Sequence, residues 1–220
     1  MTLAENFRLV VNRIYRKMYS KKRNKELNNK NFTIISNNCW GGMVYVSYNL
    51  RKNSPTVGLF FMPDDYIRFI SNMKFYLNLE LRFIDAAESK NKDKLRKTLE
   101  FGHYPIGVLG DIEIYFMHYK SENEALDKWN RRCKRINFNN IIYKFCDQNG
   151  CTKKDIDNFL KLPYKNKLFF TVRKWNINSN CIIYFKQIFN KKYINNSNEP
   201  FGHDKDIDIT NYLNSIEKDR

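Results

Sequence analysis

The chain has 220 residues, of which 42% are hydrophobic and 15% aromatic, so it is long enough to bury a core and too apolar to be disordered. Its 39 Lys and Arg against 23 Asp and Glu give a net charge of +16, much of it within residues 1–30, so the net charge alone does not identify an anionic partner. The 5 cysteines have no paired C-x-x-C spacing, so a disulfide scaffold and a zinc ribbon are not indicated. No apolar run reaches the roughly 18 residues that span a bilayer, and no signal-peptide pattern is present, so we expect a cytoplasmic protein.

Residues 1–30 form a strongly basic segment. Its apolar residues recur at three- and four-residue intervals, which predicts an amphipathic helix with a basic opposite face; they are Leu3, Phe7, Val10, Val11, Ile14, Tyr15 and Met18. The apolar face is expected to pack on the domain, with an anionic membrane surface as the alternative, which would make the protein peripheral at the inner face of the cell membrane. Residues 20–31 are polar and are expected to be a linker.

From Phe32 onward, short apolar runs alternate with helical patterns. Strands are expected at residues 32–36, 56–60, 81–85, 104–109, 111–116, 141–145, 168–172 and 181–185. Helices are expected at residues 40–51, 63–79, 121–135 and 152–162. This alternation predicts an α/β domain over residues 31–189, with a mostly parallel sheet flanked by helices and one antiparallel hairpin at Gly110. Residues 190–220 are expected to comprise a mobile loop and a short terminal helix at 207–216.

The turn after the first strand is the candidate site, because ligands of α/β sheets bind beyond the carboxyl ends of the strands. Cys39 stands there before a helix, whose positive end would stabilise a thiolate, so it is the candidate nucleophile. Its neighbours would bind substrate or stabilise an oxyanion; they are Asn37, Asn38, Trp40, Gly41 and Gly42. The alternative is that Cys39 is a small buried apolar residue and that the glycines allow close packing.

His118 is the candidate general base, because it directly follows a strand and histidine titrates near neutral pH. The alternative is a histidine whose hydrogen bonds are satisfied by the backbone at the strand end. Asp111 would orient His118, although a solvated strand face is the commoner explanation for an acidic residue there. Four residues of the 121–135 helix would hold a diphosphate-linked sugar or a coenzyme, unless the tryptophan belongs to the core and the arginines to a solvated face; they are Trp129, Arg131, Arg132 and Arg135. No metal site is assigned, since the His, Cys and Asp spacing matches no ligand pattern.

Several motifs in a fixed order resemble a known family. They are Thr33-Ile-Ile-Ser-Asn-Asn-Cys-Trp-Gly-Gly42, Ser54-Pro-Thr-Val-Gly-Leu59, Tyr104-Pro-Ile-Gly-Val-Leu-Gly-Asp111, His118-Tyr119, Glu124-Ala-Leu-Asp-Lys-Trp-Asn-Arg131 and Arg135-Ile-Asn137. Over residues 30–172 the chain resembles the bacterial domain-of-unknown-function 1919 family. The resemblance implies a place in exopolysaccharide or capsule synthesis. The Asn-Cys pair after the first strand is also similar to polysaccharide acetyltransferases that use coenzyme A.

Three hypotheses follow. In the first, Cys39 accepts an acyl group from acyl-coenzyme A and His118 activates a sugar hydroxyl that takes it. In the second, the turn at residues 37–42 cradles a nucleotide sugar, and the protein is a glycosyl or phosphoglycosyl transferase. In the third, the protein is a non-catalytic adaptor of polysaccharide assembly held at an anionic membrane through residues 1–30. A nucleic-acid partner ranks last, because no recognition motif is present.

Overall fold

A computed structural model describes residues 3–98, 100–186, 191–195 and 198–217. The strands are β1 (Thr33–Ser36), β2 (Arg82–Ile84), β3 (Ile106–Leu109), β4 (Ile112–Tyr115), β5 (Ile141–Cys146), β6 (Lys167–Thr171) and β7 (Ile182–Tyr184). The helices are α1 (Leu3–Met18), α2 (Ser20–Glu26), α3 (Trp40–Ser47), α4 (Pro63–Ser71), α5 (Met73–Leu77), α6 (Lys92–Leu95), α7 (Glu122–Cys133), α8 (Lys153–Lys161) and α9 (Ile209–Ser215). The predicted α/β fold, with its N-terminal helix, is confirmed.

A parallel sheet of order β1-β5-β6-β7 forms the centre of the fold. Its strands are apolar on both faces, as expected of a parallel sheet covered by helices on each side. Ile34 of β1 packs with Trp40 on one face, whereas the next residue, Ile35, packs with Tyr66 on the other. The alternation of side chains along each strand therefore divides the core into two apolar layers.

The predicted hairpin belongs to a separate antiparallel sheet of order β2-β3-β4. Leu109 pairs with Ile112, so Gly110 and Asp111 form a two-residue turn, and Gly110 has the positive φ that such a turn needs. The expected strand at residues 56–60 is wrong: its pairing is confined to an isolated bridge between Phe60 and Tyr115. Gly58 (φ +81°) interrupts the extended backbone there.

The expected linker at residues 20–31 is also wrong, because it contains α2. Asn24 of α2 donates from Nδ2 to the carbonyl of Tyr48 at 2.8 Å, and Arg23 donates to the carbonyl of Ser47. The terminal helix was predicted correctly as α9. In the expected mobile loop, residues 190 and 196–197 lie outside the described residues, whereas Ile194, Glu199 and Pro200 are buried.

The face of helix α1 that lies against the rest of the protein is opposite to the one expected. Its apolar stripe is exposed to solvent, with Leu3 at 90%, Phe7 at 71% and Ile14 at 52% of full exposure. Arg16, from the basic face, is instead buried at 7% exposure. The prediction that the apolar face packs on the domain is therefore wrong, because the face of α1 that carries Leu9 and Arg16 lies against the rest of the chain instead.

Candidate functional site

A cavity of about 1100 Å³ lies between α1, the start of α3, the segment after β4 and α7. We call it the basic cavity, because seven of its described lining residues are Lys or Arg, against a single carboxylate, Glu100. The basic residues are Arg13, Arg16, Lys52, Lys128, Arg132, Lys191 and Lys192. Such a concentration of positive charge is typical of a site for an anionic ligand.

Arg16 is one of the two buried cations among the described lining residues of this cavity, the other being Arg132. The guanidinium carbon of Arg16 lies 4.7 Å from the centre of the Phe201 ring, and burial lowers the pKa of Arg16, although Glu199 opposes the shift. Its Nε and Nη2 are buried and have no hydrogen-bond partner among the residues that the structure describes. Buried donors are almost always satisfied in native proteins, so these two point to a ligand or ordered solvent in the cavity.

Helix α7 brings two further cations to the cavity wall. Lys128 and Arg132 are four residues apart and therefore share one helix face. Nη1 of Arg132 donates to the carbonyl of Val57 at 2.9 Å and to the hydroxyl of Tyr119, which holds the guanidinium in place. Burial, followed by the charges of Arg132 and Lys128, lowers the pKa of Lys52, so these cations repel one another in the unliganded protein.

Cys39 lies in the wall of the basic cavity, at the N-cap position of α3. It is only partly exposed, and its Sγ lies 3.9 Å from the carbonyl oxygen of Leu59. Burial raises the pKa of the Cys39 thiol to about 12, and Glu199 contributes to the rise. This loss of hydration disfavours the thiolate that the sequence predicts at the start of α3.

His118 lines the same cavity and is exposed to it. Its backbone N–H donates to the carbonyl of Gly58 at 3.0 Å, which fixes the residue just beyond the end of β4. Partial burial of the ring lowers the pKa of His118, with Glu100 opposing the shift. The imidazole is therefore neutral at pH 7, the form that can accept a proton.

The remaining residues of the 36–42 turn are mainly structural. Asn37, Asn38 and Trp40 are buried, and the Trp40 indole N–H donates to the carbonyl of Pro200 at 2.6 Å. A Cβ at Gly41 would lie 3.0 Å from Ile34, and one at Gly42 would lie 2.9 Å from Val57. The glycines therefore allow α3 to pack closely, as in the alternative interpretation, although Gly42 also lines the basic cavity.

A buried charged network holds this turn in place. Lys144 and Glu199 are fully buried and form an ion pair, and Lys144 also donates to Oδ1 of Asn38 at 2.9 Å. Nδ2 of Asn38 in turn donates to Glu199 and to Gln148, each at 3.0 Å. The network connects the candidate turn to β5 and to the C-terminal segment.

Four predicted site residues lie elsewhere. Asp111 accepts hydrogen bonds from Arg68 and Tyr76 on the outer surface, so its expected role in orienting His118 is contradicted. Trp129 is 2% exposed and packs on Phe69 and Phe116, so it is a core residue rather than a stacking platform.

Arg131 and Arg135 are also absent from the cavity wall, among the residues that the structure describes. Arg131 instead pairs with Asp127 on the surface. Helix α7 was predicted correctly, but its cavity-lining face carries Lys128 and Arg132. The spacing of four residues between Lys128 and Arg132 places both on one helix face, and the spacing of Leu9, Arg13 and Arg16 does the same on α1. The sequence alone does not show that these faces, rather than others, line the cavity.

No helix in the described part of the chain is both long and apolar enough to cross a membrane. No cluster of three or more His, Cys, Asp or Glu side chains in it is arranged to hold a metal ion.

The fold and site define an α/β protein with a cation-lined ligand cavity beside the first strand-to-helix turn. Its sequence matches the family described as domain of unknown function (DUF1919) over residues 10–214, so the chain belongs to that family. A relative from Haemophilus influenzae, described as an uncharacterized protein, is 36% identical over 171 residues, which cover 78% of this chain and 76% of the relative. The family membership predicted from the motifs is confirmed.

Proposed function

We propose that the protein binds a phosphate-bearing acyl donor of the coenzyme A type in the basic cavity and transfers the acyl group to a sugar hydroxyl. The observation that carries the proposal is the convergence of cations from α1, α7 and the segment around Lys52 on one cavity. Coenzyme A contains a diphosphate and a ribose phosphate, which need several cationic partners. Arginine is the preferred partner of phosphate, because its planar guanidinium donates in parallel.

The unsatisfied donors of Arg16 support an anionic ligand in particular. A phosphate oxygen accepting from Nε or Nη2 would supply the missing partner. Burial, and then the charges of Arg132 and Lys128, lower the pKa of Lys52, and an anion in the cavity would offset those charges. A solvated surface patch would have neither feature, because exposed cations are satisfied by water.

His118 is the residue best placed to act as the base. In the proposed reaction, neutral His118 removes the proton of the sugar hydroxyl as its oxygen attacks the thioester carbonyl. Collapse of the tetrahedral intermediate breaks the carbon–sulfur bond, and the imidazolium returns its proton to the departing thiolate. The products are a sugar ester and free coenzyme A, so no further reactant is needed.

Direct transfer is favoured over an acyl-Cys39 intermediate. A thiol with a pKa of about 12 is almost wholly protonated at pH 7 and is a poor nucleophile. Cys39 would then serve as part of the wall beside the reacting carbonyl. The covalent alternative requires ligand binding to lower that pKa.

The sugar acceptor rests on the family resemblance, which points to exopolysaccharide and capsule synthesis. An intracellular precursor of such a polymer would meet the donor in the cytoplasm or at the inner face of the membrane. We therefore place the proposed reaction there.

Titration calorimetry tests the donor site with coenzyme A, acetyl-coenzyme A, pyrophosphate and nucleotide sugars. We expect coenzyme A to bind, and Lys52→Met and Lys128→Met each to weaken binding by about tenfold, the loss of one charge-assisted hydrogen bond. Lys134→Met is the matched control, because Lys134 is exposed at the end of α7 and does not line the cavity. Failure of coenzyme A to bind would contradict the proposal.

The same titration distinguishes acyl transfer from the alternative, a glycosyl or phosphoglycosyl transferase. The diphosphate donor of such an enzyme fits the basic cavity equally well. Binding of a nucleotide sugar but not of acyl-coenzyme A would favour that enzyme. Release of coenzyme A in the presence of sugars, abolished in His118→Gln, would favour acyl transfer.

The exposed stripe of α1 favours a second role, attachment to an anionic membrane surface. The stripe comprises Leu3, Phe7, Val10, Ile14 and Met18, each more than half exposed. Exposed cations lie beside it on α1 and along α2, including Arg8, Lys17, Lys21 and Lys22. An apolar face bordered by Lys and Arg is typical of helices that lie in the interface of anionic bilayers.

Vesicle sedimentation tests this role with phosphatidylglycerol and phosphatidylcholine vesicles. We expect the protein to bind the anionic vesicles, and to bind them less well at high salt or with Phe7→Ser and Ile14→Ser together. Phe75→Ser is the matched control, since Phe75 is 51% exposed on α5. Equal binding of the double variant would exclude the stripe as the attachment site.

A further inference from the structure

A second cavity adjoins the basic cavity. It has a volume of about 410 Å³, and Cys39, Glu100, Met117 and Gln148 line both cavities. Four lining residues in common place the two cavities directly side by side. Cys39 lies at the junction, and His118 follows Met117 directly in the chain.

The two cavities differ in chemistry. Most of the surface of the second is apolar and comes from side chains such as Phe60, Met62, Leu95 and Tyr104, although half of its lining residues are polar or charged, and we call it the apolar cavity. Two exposed lysines, Lys94 and Lys97, also line it. The basic cavity suits phosphate groups, whereas the apolar cavity suits a hydrocarbon group that is removed from water.

We propose that the apolar cavity binds the acyl chain of the donor, so that the preferred donor carries a chain longer than acetyl. This inference rests on the proposed function, since it places the phosphates of the same donor in the basic cavity. The thioester carbonyl would then lie near the shared wall, beside Cys39 and within the cavity that His118 lines. The substrate class is a medium-chain acyl thioester.

Affinity should depend on chain length. Each methylene group removed from water contributes about 0.8 kcal/mol, which corresponds to about fourfold in the dissociation constant. Calorimetry with acetyl-, butanoyl- and hexanoyl-coenzyme A should therefore give successively tighter binding, by roughly an order of magnitude for each two carbons added. Equal affinities across the series would overturn the inference.

A cavity-filling variant tests whether the dependence of affinity on chain length arises in the apolar cavity. Thr98 is exposed and lines the apolar cavity, so Thr98→Trp should abolish the dependence on chain length while leaving the affinity for free coenzyme A unchanged. Lys92→Trp is the matched control, because Lys92 is exposed on α6 and is not in the cavity wall. Retention of the chain-length dependence in Thr98→Trp would contradict the assignment.

The results of these titrations distinguish the proposed donor site in the basic cavity from the proposed acyl-chain site in the apolar cavity. If free coenzyme A binds but chain length has no effect, the proposed donor site remains and the acyl-chain site is excluded. If neither coenzyme A nor its thioesters bind, both proposals fail. Geranyl diphosphate is the remaining probe: its binding in the absence of acyl-coenzyme A binding would identify an isoprenoid diphosphate and overturn the acyl assignment.

Discussion

Replacement of Arg16 by methionine tests the basic cavity most directly, because the structure predicts opposite effects on binding and on stability. Methionine retains the apolar contact with Phe201 and removes the charge. Nε and Nη2 of Arg16 are buried without a partner in the described structure, and leaving such groups unsatisfied costs about 1–3 kcal/mol. Removing them should relieve that cost in the unliganded protein.

The interactions that are lost with the arginine stabilise the protein by less than this gain. The cation–π contact with Phe201 contributes about 0.5–1 kcal/mol, and Glu199 keeps its ion pair with Lys144. We therefore expect Arg16→Met to be as stable as the wild type or up to about 2 kcal/mol more stable. For a chain of this size that corresponds to a melting temperature higher by at most about 8 °C.

Binding should change in the other direction. A hydrogen bond from a charged donor to phosphate contributes about 1.5–3 kcal/mol, so coenzyme A should bind Arg16→Met about 10- to 150-fold more weakly. Calorimetry and thermal melting of the same preparations give both quantities. Arg8→Met is the control, because Arg8 is exposed on α1 and does not line the basic cavity.

One result would refute this reasoning. If Arg16→Met lost more than about 4 °C of melting temperature while binding coenzyme A normally, Arg16 would be a structural partner of Glu199 rather than a ligand-binding residue.

The other predictions concern Lys144, His203 and Cys39. Lys144→Met should lose about 3–5 kcal/mol in chemical denaturation, because the Glu199 carboxylate would remain buried without its ion-pair partner, and Lys144→Met with Glu199→Gln should recover most of that loss. Asp208 and Glu26 raise the pKa of His203, so their stabilisation is complete below about pH 6.5 and is lost as the pH rises through the raised pKa. His203→Gln should accordingly be less stable by up to about 1 kcal/mol at pH 6 and equal to the wild type at pH 9. Iodoacetamide should alkylate Cys39 at pH 8 roughly a hundredfold or more slowly than in the unfolded chain, as followed by peptide mass spectrometry, because burial raises the pKa of its thiol to about 12.

A specific result would contradict each of these three predictions. A double variant no more stable than Lys144→Met would show that the ion pair is not what couples the two residues. A His203→Gln defect that is equal at both pH values would exclude the protonated imidazole as its cause. Rapid alkylation of Cys39 in the folded protein would restore the covalent mechanism.

The sequence by itself determined the class of fold and most of its elements, because these depend on local periodicity and on turn and capping chemistry. Strands β1 and β5, the turn at Gly110 and the capped start of α8 at Thr152 were all predictable in this way. The sequence also identified the family, since motifs in a fixed order are a property of the chain alone.

The tertiary structure alone decided which face of each helix meets the site. Amphipathicity predicts that the apolar face of α1 is buried, yet Arg16 is buried and Phe7 is exposed, because the face that carries Leu9 and Arg16 is the one that meets the basic cavity. On α7, the choice between Arg131 and Arg132 depends on a rotation of about 100° around the helix axis, which no local pattern specifies. The pKa of Cys39 likewise depends on atoms distant in sequence, since burial and Glu199 raise it whatever the helix start next to it would favour.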